Sequence, residues 1–227
     1  MSTELKFESR DAASAAAAAR IAGLVNAQLD RDYRASFVVG GGSTPARCFE
    51  FLSGYALAWE DIQVVLTDER WVPNNHKDSN ERLVRETLLQ DEAIAGTVLS
   101  VYQSDLSADE RCDSLQIQLE GTRFAIVMAG MGTDGHFASL FPDADSLEAG
   151  LKPDSRRYYI PVRTSASPHP RVSMTLGAML HSDEILLLFF GEEKLAVYEQ
   201  AKAGNKNFPV AALLEQQAVP VVLYWAA

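Results

Sequence analysis

One alternation in the sequence limits the folds open to this chain. Short, continuously apolar runs recur along it, and each gives way to a turn and then to a segment with helical spacing. Residues 36–39 read as a strand running into Gly40-Gly41-Gly42, and Pro45 suits the first turn of a helix continuing through Phe49 and Leu52. Residues 62–67 form the next strand, ending at Asp68-Glu69-Arg70. Residues 123–129 run into Gly130-Met131-Gly132, residues 184–190 into Gly191 and a helix over 194–203, and residues 219–225 close as a strand. A helix is expected from Asp78 as N-cap through Leu89, with Glu81 at the reciprocal capping position, and another over 109–119. Residues 12–19, alanine broken once by Ser14, have high helix propensity and side chains small enough for close packing.

A strand as apolar as Ile185-Leu186-Leu187-Leu188-Phe189-Phe190 is stable only when both of its faces are covered. Strands of this kind alternating with helices predict a three-layer α/β/α, mostly parallel, Rossmann-like sheet. No linker, repeat or charge block divides the sequence, so residues 1–227 are expected to form a single domain. With 47% hydrophobic residues the chain has ample material for a core, which excludes disorder.

Twenty Lys and Arg stand against 31 Asp and Glu, a net charge of −11. A nucleic-acid partner is therefore excluded, because it needs a basic footprint. A small anionic ligand is still allowed, provided a few placed cations meet it. No apolar run is long enough to span a membrane. The start Met1-Ser2-Thr3-Glu4, with Asp11 before the alanine run, lacks the positive charge of a signal peptide. Cys48 and Cys112 have no metal spacing and read as free, packed thiols of a reducing, cytoplasmic compartment. No His-Glu-x-x-His motif or Cys/His cluster indicates a catalytic metal, no Gly-x-Ser-x-Gly elbow indicates a serine hydrolase, and no dinucleotide fingerprint is present, so no cofactor is expected.

Ligands of open α/β sheets bind at the carboxyl ends of strands near a switch in strand order. The unusual residues of this sequence fall at strand ends. Gly40-Gly41-Gly42-Ser43-Thr44-Pro45 reads either as a tight turn with a Ser/Thr cap or as an anion site, where N–H groups and the helix dipole meet a phosphate. Thr67-Asp68-Glu69-Arg70 reads either as a salt-bridged turn or as an Arg70 fork for an oxyanion, with Asp68 or Glu69 orienting it or contacting sugar hydroxyls. Gly130-Met131-Gly132-Thr133-Asp134-Gly135-His136 places a histidine two residues from a carboxylate in a glycine-rich loop, a pairing suited to base catalysis although the spacing does not guarantee contact. Arg171 and Lys194, the latter in the first turn after a strand, are candidate cations that could equally be solvated. His76, His169 and His181 read as structural, and residues 161–170, with three prolines, as a surface or site-covering loop.

Taken in order, Gly41-Gly42-Ser43-Thr44-Pro45, Asp68-Glu69-Arg70-Trp71-Val72-Pro73, Asp78-Ser79-Asn80, Gly130 through Pro142, Arg171-Val172-Ser173 and Gly191-x-x-Lys194 resemble the 6-phosphogluconolactonase family. The resemblance covers the chain from about residue 35 onward, and Gly132 through Pro142 is its most specific part. The wider superfamily includes glucosamine-6-phosphate deaminase, which looks similar at the glycine loop, the Asp-Glu pair and the Asp-Gly-His segment. The deaminase pattern carries an acid after the histidine loop where this chain has Phe141, and continues Asp-Glu-Tyr where this chain has Arg70. Both departures fit the lactonase.

The resemblance implies hydrolysis of 6-phospho-D-glucono-1,5-lactone, the second step of the oxidative pentose phosphate route. It implies His136 as the base activating water, Asp134 orienting it, and Arg70 or loop N–H groups as oxyanion donors. It implies Gly41, Gly42, Ser43, Thr44, Asp68, Arg171 and Lys194 as the substrate site. The implied partner is a small sugar phosphate, with no nucleic acid or membrane, in a monomer or small homo-oligomer. A deaminase-type isomerase and a non-catalytic sugar-phosphate sensor are the alternatives. The sensor is disfavoured by His136 and Asp134 and by the lack of space for an output domain.

Overall fold

The computed structural model describes residues 3–227. Met1 and Ser2, on which part of the signal-peptide reading rests, lie outside them. The chain opens with strand β1 (Thr3–Lys6) and the long helix α1 (Arg10–Asp32). The Ser9 side chain caps α1 by accepting from the Ala12 N–H. Ala13, Ala17, Ala18, Ile21 and Val25 form its buried stripe. The alanine run thus does what its small side chains allow, bringing α1 close against the sheet and its neighbouring helix.

Strand β2 (Ala35–Val39) leads into α2 (Ser43–Ser53), then β3 (Ile62–Leu66), β4 (Asp68–Arg70), α3 (Asn80–Thr87) and β5 (Thr97–Val98). After α4 (Ala108–Gln118) come β6 (Val127–Ala129), α5 (Leu147–Gly150), β7 (Tyr159–Val162), β8 (Arg171–Met174) and α6 (Leu176–Met179). The chain closes with β9 (Ile185–Phe190), α7 (Glu192–Lys202), α8 (Val210–Glu215) and β10 (Val221–Ala226).

Seven strands form the central sheet, in the order β1-β10-β9-β6-β2-β3-β5, and every neighbouring pair is parallel. Helices flank it in the expected α/β/α arrangement, and Ile185 to Phe189 of β9 are fully buried, as a strand covered on both faces requires. From β2 the chain moves outward through β3 to β5, then crosses to β6 on the other side of β2. The switch point therefore lies between β2 and β6, and the loops over 40–42 and 130–136 leave their carboxyl ends on either side of it. Among the described residues no helix is long and apolar enough to cross a membrane.

Several local expectations are corrected. Helix α3 is capped by Ser79, whose hydroxyl accepts from the Arg82 N–H at 3.2 Å, and not by Asp78. Glu81 consequently turns away from the cap and accepts from Arg85 and Ser100, both at 2.9 Å. The strand expected over 123–129 pairs regularly only at β6, with Phe124 making an isolated bridge to Ser182. A capping box joins Ser107 and Glu110 at the start of α4, so that helix begins at Ala108, one residue before the expected Asp109. Pro161 and Val162, read as loop, belong to β7, the edge of a second sheet with the antiparallel order β4-β8-β7. An edge strand tolerates proline because one side of its ladder is unpaired. This small sheet follows β3 directly and overlies the carboxyl end of the main sheet, since Met174 donates to the Thr67 carbonyl at 2.7 Å.

Candidate active site

At the end of β2, Gly42 sits at φ +90° and ψ −173°, a conformation in which an L side chain is strained. It serves as the N-cap of α2 without any side chain capping that helix. The first-turn N–H groups are thereby left for an anion. Gly41 has a different constraint, because a Cβ there would fall 1.9 Å from Asn80 Oδ1. Asn80 cannot easily yield: its side chain donates to the Asp68 carbonyl at 2.8 Å and its N–H to Glu69 at 2.7 Å.

The Asp68-Glu69-Arg70 segment divides its three charges. Asp68 is buried and accepts from Thr67 Oγ1 at 2.9 Å on one oxygen and from Ser139 Oγ at 2.6 Å on the other. Arg171 Nη1 stands 3.5 Å from that second oxygen, so Asp68 steadies the guanidinium. Glu69 is fully buried and leaves the cleft altogether. Its carboxylate accepts the N–H groups of Arg70, Asn80 and Glu81 and the Ser79 hydroxyl, at 2.7–3.0 Å. Burial pushes the Glu69 carboxyl upward, against the pull of those donors. The reading of Glu69 as an orienter of Arg70 or a sugar contact is therefore corrected, because it holds the start of α3. Arg70 makes no ion pair with either acid among the described residues. It donates to the Asp78 carbonyl at 2.5 Å, and its buried Nε has no partner.

The third segment is a tight loop. Gly132 N–H donates to the His136 carbonyl at 2.9 Å and Gly135 N–H to the Gly132 carbonyl at 3.1 Å. Gly135 has φ +75°, and Ala138 follows at φ +50°. The loop bends Asp134 back beneath the imidazole, placing His136 Nδ1 2.5 Å from Asp134 Oδ1. Burial raises the Asp134 carboxyl, but the hydrogen bond and charge of His136 outweigh it, and the group lies below its ordinary value. Phe141 packs against the imidazole with ring centroids 4.2 Å apart, and the Arg171 guanidinium sits 5.6 Å from the same phenyl ring.

These segments line one cleft of about 340 Å³, ample for a sugar phosphate. Nine of the ten residues singled out from the sequence face it, and the tenth, Asp134, stands behind His136. Lys194 enters from the first turn of α7, half-buried and without an ion pair among the described residues. Burial pulls its ammonium below the ordinary lysine value despite Glu193 and Asp134 nearby. Arg171 is likewise lowered by burial, although Asp68 opposes that shift.

Asn80, Thr67 and Ala166 also line the cleft, and Ser139 supports its floor. The sequence reading gave none of them a role. Asn80 lay inside the Asp78-Ser79-Asn80 match and Ser139 inside the run ending at Pro142, so their signal was motif membership without a visible partner. Ala166 brings the 161–170 loop to the rim, and Asp143 secures that loop by accepting from Thr164 Oγ1 and from the Ser165 N–H and hydroxyl.

The family model described as "Glucosamine-6-phosphate isomerases/6-phosphogluconolactonase" matches residues 8–225. The chain is 34% identical to 6-phosphogluconolactonase of Mesorhizobium japonicum, with 97% of this chain and 93% of that one covered. It is 36% identical to 6-phosphogluconolactonase of Caulobacter vibrioides, over 97% and 95% of the two chains. The crystal structure of a 6-phosphogluconolactonase from Shewanella baltica superposes with a TM-score of 0.94 at 34% identity, covering 100% of this chain and 98% of that one.

Proposed function

The chain belongs to the glucosamine-6-phosphate isomerase and 6-phosphogluconolactonase family, and from that premise we propose that it hydrolyses 6-phospho-D-glucono-1,5-lactone to 6-phospho-D-gluconate. The observation that carries the proposal is the content of one cleft. The His136–Asp134 pair shares it with an uncapped helix N-terminus and with Arg171 and Lys194. A base is thus paired with a phosphate handle, and no further group is needed for an already activated ester.

At neutral pH the Asp134 carboxylate can only accept, so in the neutral imidazole of His136 it is Nδ1 that carries the proton and Nε2 that is free to act as the base. Nε2 takes a proton from water as its oxygen attacks C1. The carbonyl electrons move onto oxygen, and Arg70 and the N–H groups of the glycine loop are the donors available to that oxyanion. As the carbonyl re-forms, the bond from C1 to the ring oxygen breaks, and the imidazolium returns its proton to that oxygen. The acid so formed ionises to the carboxylate. The first-turn N–H groups of α2, with Ser43 and Thr44, grip the 6-phosphate, and Lys194 and Arg171 balance its charge. Holding the phosphate fixes C1 against the base and removes part of the entropic barrier.

The same reading makes the chain a single catalytic domain of the cytoplasm acting in the oxidative pentose phosphate route. Phe141 argues against deamination, since it fills with an apolar ring the place where the deaminase pattern carries an acid. The test adds the purified protein to freshly prepared 6-phosphogluconolactone and follows 6-phosphogluconate formation above the spontaneous rate. Acceleration is expected, and ammonia release from glucosamine 6-phosphate is not. A rate equal to the background would overturn the proposal.

A further inference from the structure

We propose that His76, Asp78 and His169 form a binding site for a first-row divalent cation of the zinc type, which clips together two loops at the rim of the cleft. His76 and Asp78 lie between β4 and α3. His169 is 91 residues beyond Asp78, in the loop between β7 and β8, so the cluster has no sequence motif and exists only through the fold.

The geometry is close to that of a coordination sphere. Asp78 Oδ2 stands 3.0 Å from His169 Nε2 and 3.7 Å from His76 Nδ1. Two ligands of a tetrahedral zinc, each bonded at about 2.0–2.1 Å, stand about 3.3 Å apart, between these two values. The three ligand atoms all lie within 4.8 Å of one another, and rotation of half-exposed side chains closes the remaining gap. The N–H of Asp78 donates to His76 Nδ1 at 3.2 Å. An ion bound at that nitrogen takes the place of the N–H donor.

The donor set selects the ion. Two imidazoles and one carboxylate suit zinc and its first-row neighbours, whereas calcium and magnesium call for oxygen ligands. The three side chains are 37%, 40% and 27% exposed for His76, Asp78 and His169. That exposure gives the ion an entry path and leaves room for water as a further ligand.

The cation would act on the two loops it joins. The Asp78 carbonyl accepts from Arg70, and Ser167, two residues before His169, accepts from Arg171 Nε at 2.9 Å. Ala166 on the same loop faces the cleft. An ion bridging Asp78 and His169 fixes both loops in the register that aims these arginines. The inference stands apart from the lactonase reading, because its test needs no substrate.

The test is calorimetric titration of the metal-free full chain with zinc chloride, together with thermal melts with and without zinc. Saturable binding is expected, and a His76→Ala/His169→Ala double variant should lose one equivalent of zinc or bind it at least tenfold more weakly. Zinc should raise the Tm of the parent and leave that of the double variant unmoved. Without zinc the two should melt alike, since the replaced rings are partly exposed. Asp78→Asn, which keeps the side-chain shape and removes the charge, should also weaken binding. His136→Ala separates this site from the cleft and should retain the equivalent that the double variant loses. Absence of saturable binding below about 100 μM zinc, parent-like binding in the double variant, or loss of all binding on replacing His136 would each overturn the proposal.

Discussion

His136 Nδ1 and Asp134 Oδ1 lie 2.5 Å apart, closed into contact by a loop whose Gly132 donates to the His136 carbonyl. The same carboxylate oxygen also receives the His136 backbone N–H at 3.2 Å. One acid thus orients both the ring and the backbone of the histidine, and it sets which ring nitrogen is basic.

Replacing His136, the proposed base, should separate chemistry from folding. His136→Ala is expected to lower kcat by about 10²–10⁴-fold, with KM and Tm little changed, because the imidazole is partly exposed at the cleft wall. Asp134→Asn should lower kcat in the same direction by loosening the choice of tautomer. A coupled assay corrected for spontaneous hydrolysis measures both, and a His136→Ala rate within a few-fold of the parent would remove His136 from the mechanism.

Lys194 should report on binding. It is half-buried in the cleft without a protein partner among the described residues, so its charge is available to a phosphate. A hydrogen bond to a charged group is worth about 1.5–3 kcal/mol, so Lys194→Ala should raise KM by roughly 10–100-fold with kcat nearly preserved. An unchanged KM in steady-state kinetics would take Lys194 out of the phosphate site.

Two glycines should fail in different ways. A Cβ on Gly132 would fall 2.3 Å from the His136 ring and 2.5 Å from Asp134 Oδ1. Gly132→Ala should therefore push the ring off its carboxylate and lose most of the turnover while the fold persists. A Cβ on Gly42 meets nothing within 4 Å, but the backbone there is at φ +90°. Gly42→Ala should cost about 1–3 kcal/mol of stability through strain. Melting curves beside kcat values distinguish the two, and equal effects on both quantities would contradict the assignment.

Asp143 should keep its grip on the rim loop into strong acid. Hydrogen bonds from Ser165 and Thr164 pull its carboxyl down to about 2. A lowered folded-state value means that the tether is fully present above the ordinary carboxylate range and is lost only as pH falls through about 2. Hydrogen exchange at the Ser165 amide, which donates to Asp143 at 2.9 Å, should remain slow from neutral pH down to about pH 3 once intrinsic acid effects are removed. Asp143→Ala should remove that protection at every pH. Fast exchange in the parent at pH 5 would show that the tether does not hold the loop.

The layered sheet and most residues of the cleft are legible in the amino-acid order alone. Uninterrupted apolar strands such as Ile185–Phe190 can be stable only inside a covered parallel sheet, and the glycine-rich turns that follow strands must emerge at one edge. That is why Ser43, Asp68, His136 and Lys194 could be assigned to one place from their positions after strands. Which polar groups face the cleft, and which face each other, is set by how the elements pack. Glu69 sits beside Asp68 in sequence, yet α3 packs its N-terminus onto it and takes its carboxylate out of the site. Capping passed from Asp78 to Ser79 for the same reason. Ser139 reaches Asp68 from 71 residues away, and His169 reaches Asp78 from 91. A hydrogen bond or ion pair has a range of a few ångströms, and separations of that kind along a chain acquire such a distance only when the whole sheet has formed.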